Sequence, residues 1–522
     1  MAAPSEKLAE SLEALKALQD RGVLAIRSAD LTRTHRERLL KSGFLHEVMK
    51  GWYIPARHDQ SAGESTAWYT SFWDFCAAYL NHRFGEAWCL SPEQSASLHV
   101  GNRTVPQQLL VHSPKGGNKP TALPHNTSLF DVRYTLPDDK HVTVLGGLRL
   151  FSLPAALVGC GPGFFRQNPT DARAALAMIR DASDVLAVLL EGGHTTVAGR
   201  LAGAFRNIGP PRIADEIIDA MRAAGYDVRE SDPFAEAPEF SLPPREPSPY
   251  VNRMRLMWQA MRGAAAEGFA APPGLPADIE AYLRQVDDIY VSDAYHSLSI
   301  EGYRVSPDLI ERVRTRAWNP DGNEDDRERR NALAARGYYE AFQAVNECVA
   351  MVLEGDNPGA VADDHHGAWH RALGAPSVTA GLVTPADLAG YRSGPIYIRR
   401  SMYVPPPHEA VRDLMPAFFE CLREEDDPAV RVVLGHFLFV YIHPYMDGNG
   451  RIGRFLMNLM LAAGGYPWTV IPVEHRDDYM AALEAASTRQ DIAPFAAFLG
   501  GLVQDSLEGR PPGRILPGKG RL

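Results

Sequence analysis

Between residues 231 and 250 the chain reads SDPFAEAPEFSLPPREPSPY, six prolines with no helical or strand period. Proline fixes φ and removes a backbone donor, so this run can neither continue a helix nor sit inside a sheet. It is predicted to be an extended linker. The chain of 522 residues is thereby divided into two halves, each long enough to bury a core of its own.

The N-terminal half reads in two parts. Residues 1–57 are predicted to hold helices over 6–20 and about 31–41, then a hairpin-like run from Phe44 to Ile54. Two helices and a small β-ribbon outline a winged helix. From Arg21 to Arg57 there are eight Lys/Arg and three acids, a balance of +5 in a chain of net charge −11. Arg33, Arg36, Arg38, Lys41 and Lys50 are therefore candidate DNA contacts, set against the common case of a solvated basic face. Residues 58–230 read as an α+β domain. Helices fall near Trp68–Asn81, Asp171–Leu190 and Ile213–Gly225, and strands near Gln107–His112, Ser128–Tyr134 and His141–Phe151. The glycines of Gly159–Gly163 are read as a turn, because Pro162 interrupts them and no strand–turn–helix frame surrounds them.

The C-terminal half, residues 251–505 with a tail at 506–522, is mostly helical, and its chemistry gathers in HPYMDGNGRIGR, His443 to Arg454. A buried helix over 429–442 leads in, and Pro444 forces its exit. Ile452, Phe455, Leu456, Leu459, Met460 and Ala463 then share one face of a helix over about 451–463, stopped by Gly464-Gly465. Arg451, Arg454 and Asn458 form a polar stripe beside that face. Gly448-Asn449-Gly450 stands at the helix start, where converging N–H groups and the macrodipole favour an anion. A polyphosphate is the natural guest. Asp447 is placed to hold Mg²⁺ beside it. His443, a titratable group near neutral pH, suits a general base acting on a hydroxyl.

These residues resemble the signature of the Fic family, HPFx(D/E)GNGRxxR, with Tyr445 in place of Phe. The resemblance runs from about 251 to 505. It implies an all-α fold with a β-hairpin flap. It also implies transfer of AMP from ATP to a Ser, Thr or Tyr hydroxyl of a target protein. By matching position, His443 would be the base, Asp447 would bind Mg²⁺, and Gly448, Asn449 and Gly450 would cradle phosphates. Arg451 and Arg454 would contact the β- and γ-phosphates, with Asn458 and Tyr479 nearby in the nucleotide site. Ser297–Gly302, SLSIEG, resembles the family's inhibitory motif (S/T)xxxE(G/N), which implies an inhibitory helix near 283–302. Ser297 and Glu301 would share a helix face, and Glu301 would pair with Arg454. The run SGPIYIR at 393–399 resembles the flap, where Ile396, Tyr397 and Ile398 would dock a target segment by strand addition. In the other half, LLKSGFLHEVMKGWYIP at Leu39–Pro55 is similar to the winged helix of AbiEi-type antitoxins, which implies contact with DNA or a partner.

The expected fold is thus multidomain: a winged helix, an α+β domain, the linker, and an all-α domain. The expected function is an autoinhibited, Mg²⁺-dependent adenylyltransferase. Two alternatives stand beside it: a DNA-binding regulator whose C-terminal half senses nucleotide, and an enzyme that removes AMP with water positioned by Glu301. His366 and His370 lie at i and i+4, but HGAWH lacks the Glu of HExxH, so both are read as structural. Five cysteines without a CxxC pair suit a reducing cytosol. The start of the chain is polar, and the most apolar stretch, Val432–Ile442, is too short to span a bilayer, so no membrane partner is expected.

Overall fold

The computed structural model describes residues 4–56, 65–209, 211–234, 248–317, 329–510 and 513. Most of the proline-rich stretch, Arg57 and nearly all of the tail beyond Arg510 lie outside these residues. The chain forms two units: Met1–Arg253 with Tyr397–Val404, and Met254–Ile396 with Pro405–Leu522. The helix Pro249–Glu267 begins inside the stretch expected to be linker, with proline at its first position, where no N–H is missed.

The first unit opens with helices Pro4–Gln19 and Arg33–Lys41, the second capped by the Thr32 hydroxyl, which accepts from the His35 N–H at 3.3 Å. Strands β1 (Ile26–Arg27), β2 (Leu45–Met49) and β3 (Trp52–Pro55) form an antiparallel sheet in the order β1-β3-β2. Leu15, Leu18, Ile26, Leu39 and Leu45 close a small core between these helices and strands. A second sheet contains β4 (Cys89–Leu90), β5 (Gln108–Ser113), β6 (Lys119–Ala122) and β7 (Ser128–Arg133) in the order β4-β5-β7-β6. Its central pair, β5 and β7, is parallel. Helix Thr66–Phe84 carries Trp68, Phe72, Trp73 and Phe75 into the aromatic core of this unit.

Two predicted elements divide. The strand expected at 141–151 is a hairpin, β8 (Val142–Leu145) and β9 (Leu148–Phe151), because Gly146 and Gly147 both take positive φ. The helix expected at 171–190 is two helices, Pro169–Ala177 and Ala182–Gly192, the second restarted by an Asp181 cap. The glycine run at 159–163 is the junction between helices Leu153–Gly159 and Pro162–Gln167.

The second unit is all-helical: among the described residues no strand falls in it. Helix Pro428–Ile442 is buried along almost its whole length, with Val430, Leu434, Phe437 and Leu438 at its heart. Helix Asn449–Ala463 runs against it so closely that a Cβ on Gly453 would come within 2.9 Å of Val440 Cγ1. Helices Ile279–Ile300, Arg329–Leu353 and Pro358–Thr379 complete the surroundings of the motif.

The hairpin flap expected around 393–407 is not formed, since no residue there pairs as a strand. Pro395 and Pro405–Pro407 lack the donors a ladder needs. Tyr397–Val404 instead belongs to the first unit, where Met402 accepts from the Val105 N–H at 2.8 Å. Ile396 falls in the second unit. Among the described residues no helix is long and apolar enough to cross a membrane.

Candidate active site

The motif loop is fixed before any ligand arrives. Helix Pro428–Ile442 ends at His443, whose backbone turns left-handed (φ 54°, ψ 61°) as a C-cap with its N–H donating to Phe439 O at 3.0 Å, and Pro444 cannot continue the helix. Arg392, buried, grips the exit: its backbone N–H donates to Pro444 O at 2.9 Å and its Nε to His443 O at 2.8 Å. Asn449 ties the loop across itself, accepting from the Tyr445 N–H at 2.9 Å and donating to Tyr445 O at 2.7 Å. Tyr445 in turn stacks on His370, centroids 3.8 Å apart. Gly448 takes φ 89°, and a Cβ there would strike Leu373 Cδ2 at 2.8 Å, so only glycine opens the motif helix in this way.

The His443 ring is oriented by this scaffold. Its Nδ1 lies 2.9 Å from Val440 O, an acceptor only, so the ring nitrogen there is the donor. Nε2 keeps its lone pair and is the basic atom. Burial pushes the His443 pKa down, the Val440 carbonyl works against that shift, and Arg392 adds to it. Glu301 and Asp447 both lie near enough to pull it back up.

Beside the imidazole the helix N-terminus is lined with positive charge. Arg451 is buried, donates to Asp447 at 2.7 Å, and lies over the Tyr303 ring. Its Nε is buried without a hydrogen-bond partner among the described residues. Asp447 is 82% exposed. The protein around it takes some water from the carboxylate and so raises its pKa, but Arg451 and the Gly448 N–H outweigh this and keep it below the ordinary carboxylate value. Arg454, also buried, donates from Nε to Ser297 Oγ (2.9 Å) and from Nη2 to Ser297 O (3.1 Å) and Glu301 Oε1 (2.7 Å). A Cβ on Gly450 would meet Glu301 Oε1 at 2.3 Å. The carboxylate thus sits directly over the first turn of the motif helix, where an anion is favoured. Its side chain remains 33% exposed, so this pair is easier to part than a fully buried one.

The other predicted residues scatter. Asn458 is committed to backbone: it donates to Arg454 O and Thr469 O and accepts from the Thr469 N–H. Tyr479 is buried, with its hydroxyl 2.8 Å from His436 Nε2 and close enough to Arg454 to sense its charge. His366 and His370 are buried in a ring cluster with Tyr391 and Tyr445, as structural residues. Among the described residues no group of three or more His, Cys, Asp or Glu gathers as a metal site. In the N-terminal unit Arg33 pairs with Glu37, Arg36 donates to Ser28 O, and Arg38 turns inward to Lys7 O. Lys41 and Lys50 remain exposed. Reading the sequence missed Arg392, for which no local signal exists. It also missed Asp293, which stands one turn before Ser297 on the same helix face.

Residues 364–461 match the Fic/DOC family. The protein adenylyltransferase Fic of Nematostella vectensis is 30% identical over 230 residues, 43% of this chain and 49% of that protein. The protein adenylyltransferase fic-1 of Caenorhabditis elegans is 28% identical over 227 residues, 42% of this chain and 41% of that protein. The chain therefore spans about half the length, or less, of the curated relatives it matches. Among solved structures, residues 134–508 of C. elegans Fic-1 cover 68% of this chain and 87% of that one, at 18% identity and a TM-score of 0.37. A Fic domain containing signaling protein from Bacteroides thetaiotaomicron covers 51% of this chain and 99% of its own, at 19% identity and a TM-score of 0.35.

Proposed function

We propose, for a chain that carries a Fic/DOC-family domain at residues 364–461, that it transfers AMP from ATP to a hydroxyl on another protein and that Glu301 restrains the reaction. The observation that carries this reading is the Glu301 carboxylate bonded to Arg454 over Gly450. A site built to receive an anion is filled by one of the chain's own. Relatives named protein adenylyltransferase support the same chemistry.

In this reading the triphosphate lies across the motif helix N-terminus when Glu301 swings away. His443 Nε2 takes the proton of a Ser, Thr or Tyr hydroxyl. The freed oxygen attacks the α-phosphorus, the bond to the β-phosphate oxygen breaks, and pyrophosphate leaves with its charge held by Arg451, Arg454 and the helix N–H groups. The exposed, ionised Asp447 is a hard oxygen donor that fits Mg²⁺, which would neutralise phosphate charge when bound.

The test is label transfer from ATP carrying the label at its α-phosphate. Glu301→Gly is expected to raise protein labelling at least roughly ten-fold, and adding His443→Ala to return it to background. A Glu301 variant that does not label, or labelling that survives loss of His443, removes the proposal.

For residues 1–56 the order helix, strand, helix, strand, strand favours a winged-helix reading and thus a DNA contact. With Arg36 and Arg38 engaged internally, Lys41 and Lys50 would carry it. The absence of a gel shift by the full chain at low salt rejects this second role, and a shift that the double Lys41→Ala, Lys50→Ala variant leaves unchanged removes these lysines from it.

A further inference from the structure

Helix Ile279–Ile300 closes in a tight cap just past Glu301. Gly302 takes φ 86°, its N–H donates to Ser299 O at 3.0 Å, and the Tyr303 N–H reaches back to Leu298 O at 3.1 Å. This is the paired bonding of a Schellman motif. The next N–H, of Arg304, donates to Asn331 Oδ1 at 3.2 Å. Tyr303 is therefore pinned through backbone on both sides, two residues beyond Glu301. The Arg451 guanidinium lies over its half-buried ring, 5.3 Å from the centroid. Arg330, exposed on helix Arg329–Leu353, also lies over that ring, at 5.5 Å.

No step proposed above uses Tyr303. We infer that Tyr303 is a positioning residue, whose ring holds the Arg451 guanidinium beside the phosphate seat. This rests on the adenylyltransferase reading. Arg451 Nη2 lies 3.7 Å from where a Cβ on Gly448 would stand, at the opening of the motif helix. Nη2 donates to Asp447, but the Nε–H is buried with no partner among the described residues. An aromatic face attracts a cation without offering it an oxygen. Tyr303 thus fixes the charge and leaves the Nε–H for a phosphate oxygen. A carboxylate in its place would neutralise the arginine and repel the phosphate. Asp447 is 82% exposed and anchors the guanidinium less firmly than a ring pinned by its own backbone. Aim matters here, because misplacing a binding group by about 1 Å costs on the order of 10²-fold. One helix end then carries both Glu301, which fills the site, and Tyr303, which shapes it.

The experiment uses the full chain with Glu301→Gly and measures ATP, ADP and AMP affinities by calorimetry. Tyr303→Leu should weaken ATP and ADP binding roughly ten-fold and leave AMP within about two-fold, since Arg451 serves phosphates that AMP lacks. Tyr303→Phe keeps the ring face and should stay within about two-fold for all three. Once Arg451→Gln has removed the cation, adding Tyr303→Leu should cost nothing further. A merely structural role would weaken all three nucleotides together and would not depend on Arg451. If Tyr303→Leu does not fold, Tyr303→Met, which fills irregular gaps, carries the same expectation. Unchanged ATP binding, an equal loss for AMP, a loss matched by Tyr303→Phe, or additive losses with Arg451→Gln overturns this role for Tyr303. If Glu301→Gly itself binds no ATP, that role and the proposed function fall together. If it binds and labels while Tyr303→Leu is silent, the role of Tyr303 alone falls.

Discussion

At the scale of single residues the pH response is set by His443. Burial lowers its pKa, so the neutral, basic ring persists to lower pH than for a free imidazole. The acid limb of the labelling rate in Glu301→Gly should therefore fall below the ordinary value of about 6.5. The sign for stability follows: between the folded and unfolded pKa the unfolded chain binds more protons, so this group makes stability rise with pH across that window and costs stability below it. A pH–rate profile with its acid limb at or above 6.5 contradicts the placement of His443. Asn449 was expected to cradle phosphate, yet its side chain spends both ends on Tyr445 backbone. Asn449→Ala leaves a buried N–H without a partner and should cost about 2–3 kcal/mol, read from urea midpoints. These residues stand out in the sequence because their types are unusual together. The sequence could not tell a ligand contact from a loop tie, because both uses ask for a short amide beside glycine.

At the scale of elements the motif works because two helices approach closely enough to leave the loop no freedom. Gly453 permits this, facing Val440 and His436. Gly453→Val inserts methyl groups where there is no room and should destabilise by about 2–3 kcal/mol, an overpacking cost visible by calorimetry. A variant as stable as the parent would show that the helices are free to separate. Both helices were legible from apolar spacing and from the proline and glycine at their ends. Helix Ile279–Ile300 was legible through SLSIEG, which implied a helix near 283–302; Asp293, Ser297 and Glu301 recur every four residues along it and could have been read as one polar stripe. The flap was misread because its apolar residues have a strand's composition, whereas the prolines around it remove the hydrogen bonds that a strand requires.

At the scale of the whole molecule the boundary written in sequence is not the whole boundary. The two units divide at Arg253–Met254, inside helix Pro249–Glu267, and Tyr397–Val404, far along the chain, belongs to the first. Met402 and Val404 pack against the aromatic core of Trp52, Trp68, Phe72 and Phe75, and Tyr403 is buried. No local pattern announces this, since the partners lie about three hundred residues away and long-range packing leaves no period in the chain. Val404→Asp in the full chain should therefore destabilise the first unit, by about 1–3 kcal/mol, the cost of placing a poorly partnered polar group against apolar surface. Calorimetry should show the loss in the transition that ATP does not raise. The ATP-sensitive transition of the Glu301→Gly protein should stay where it was, because a ligand stabilises only the unit that binds it. If Val404→Asp lowers the ATP-sensitive transition instead, the segment belongs energetically to the helical unit, and the division of the chain drawn here is wrong.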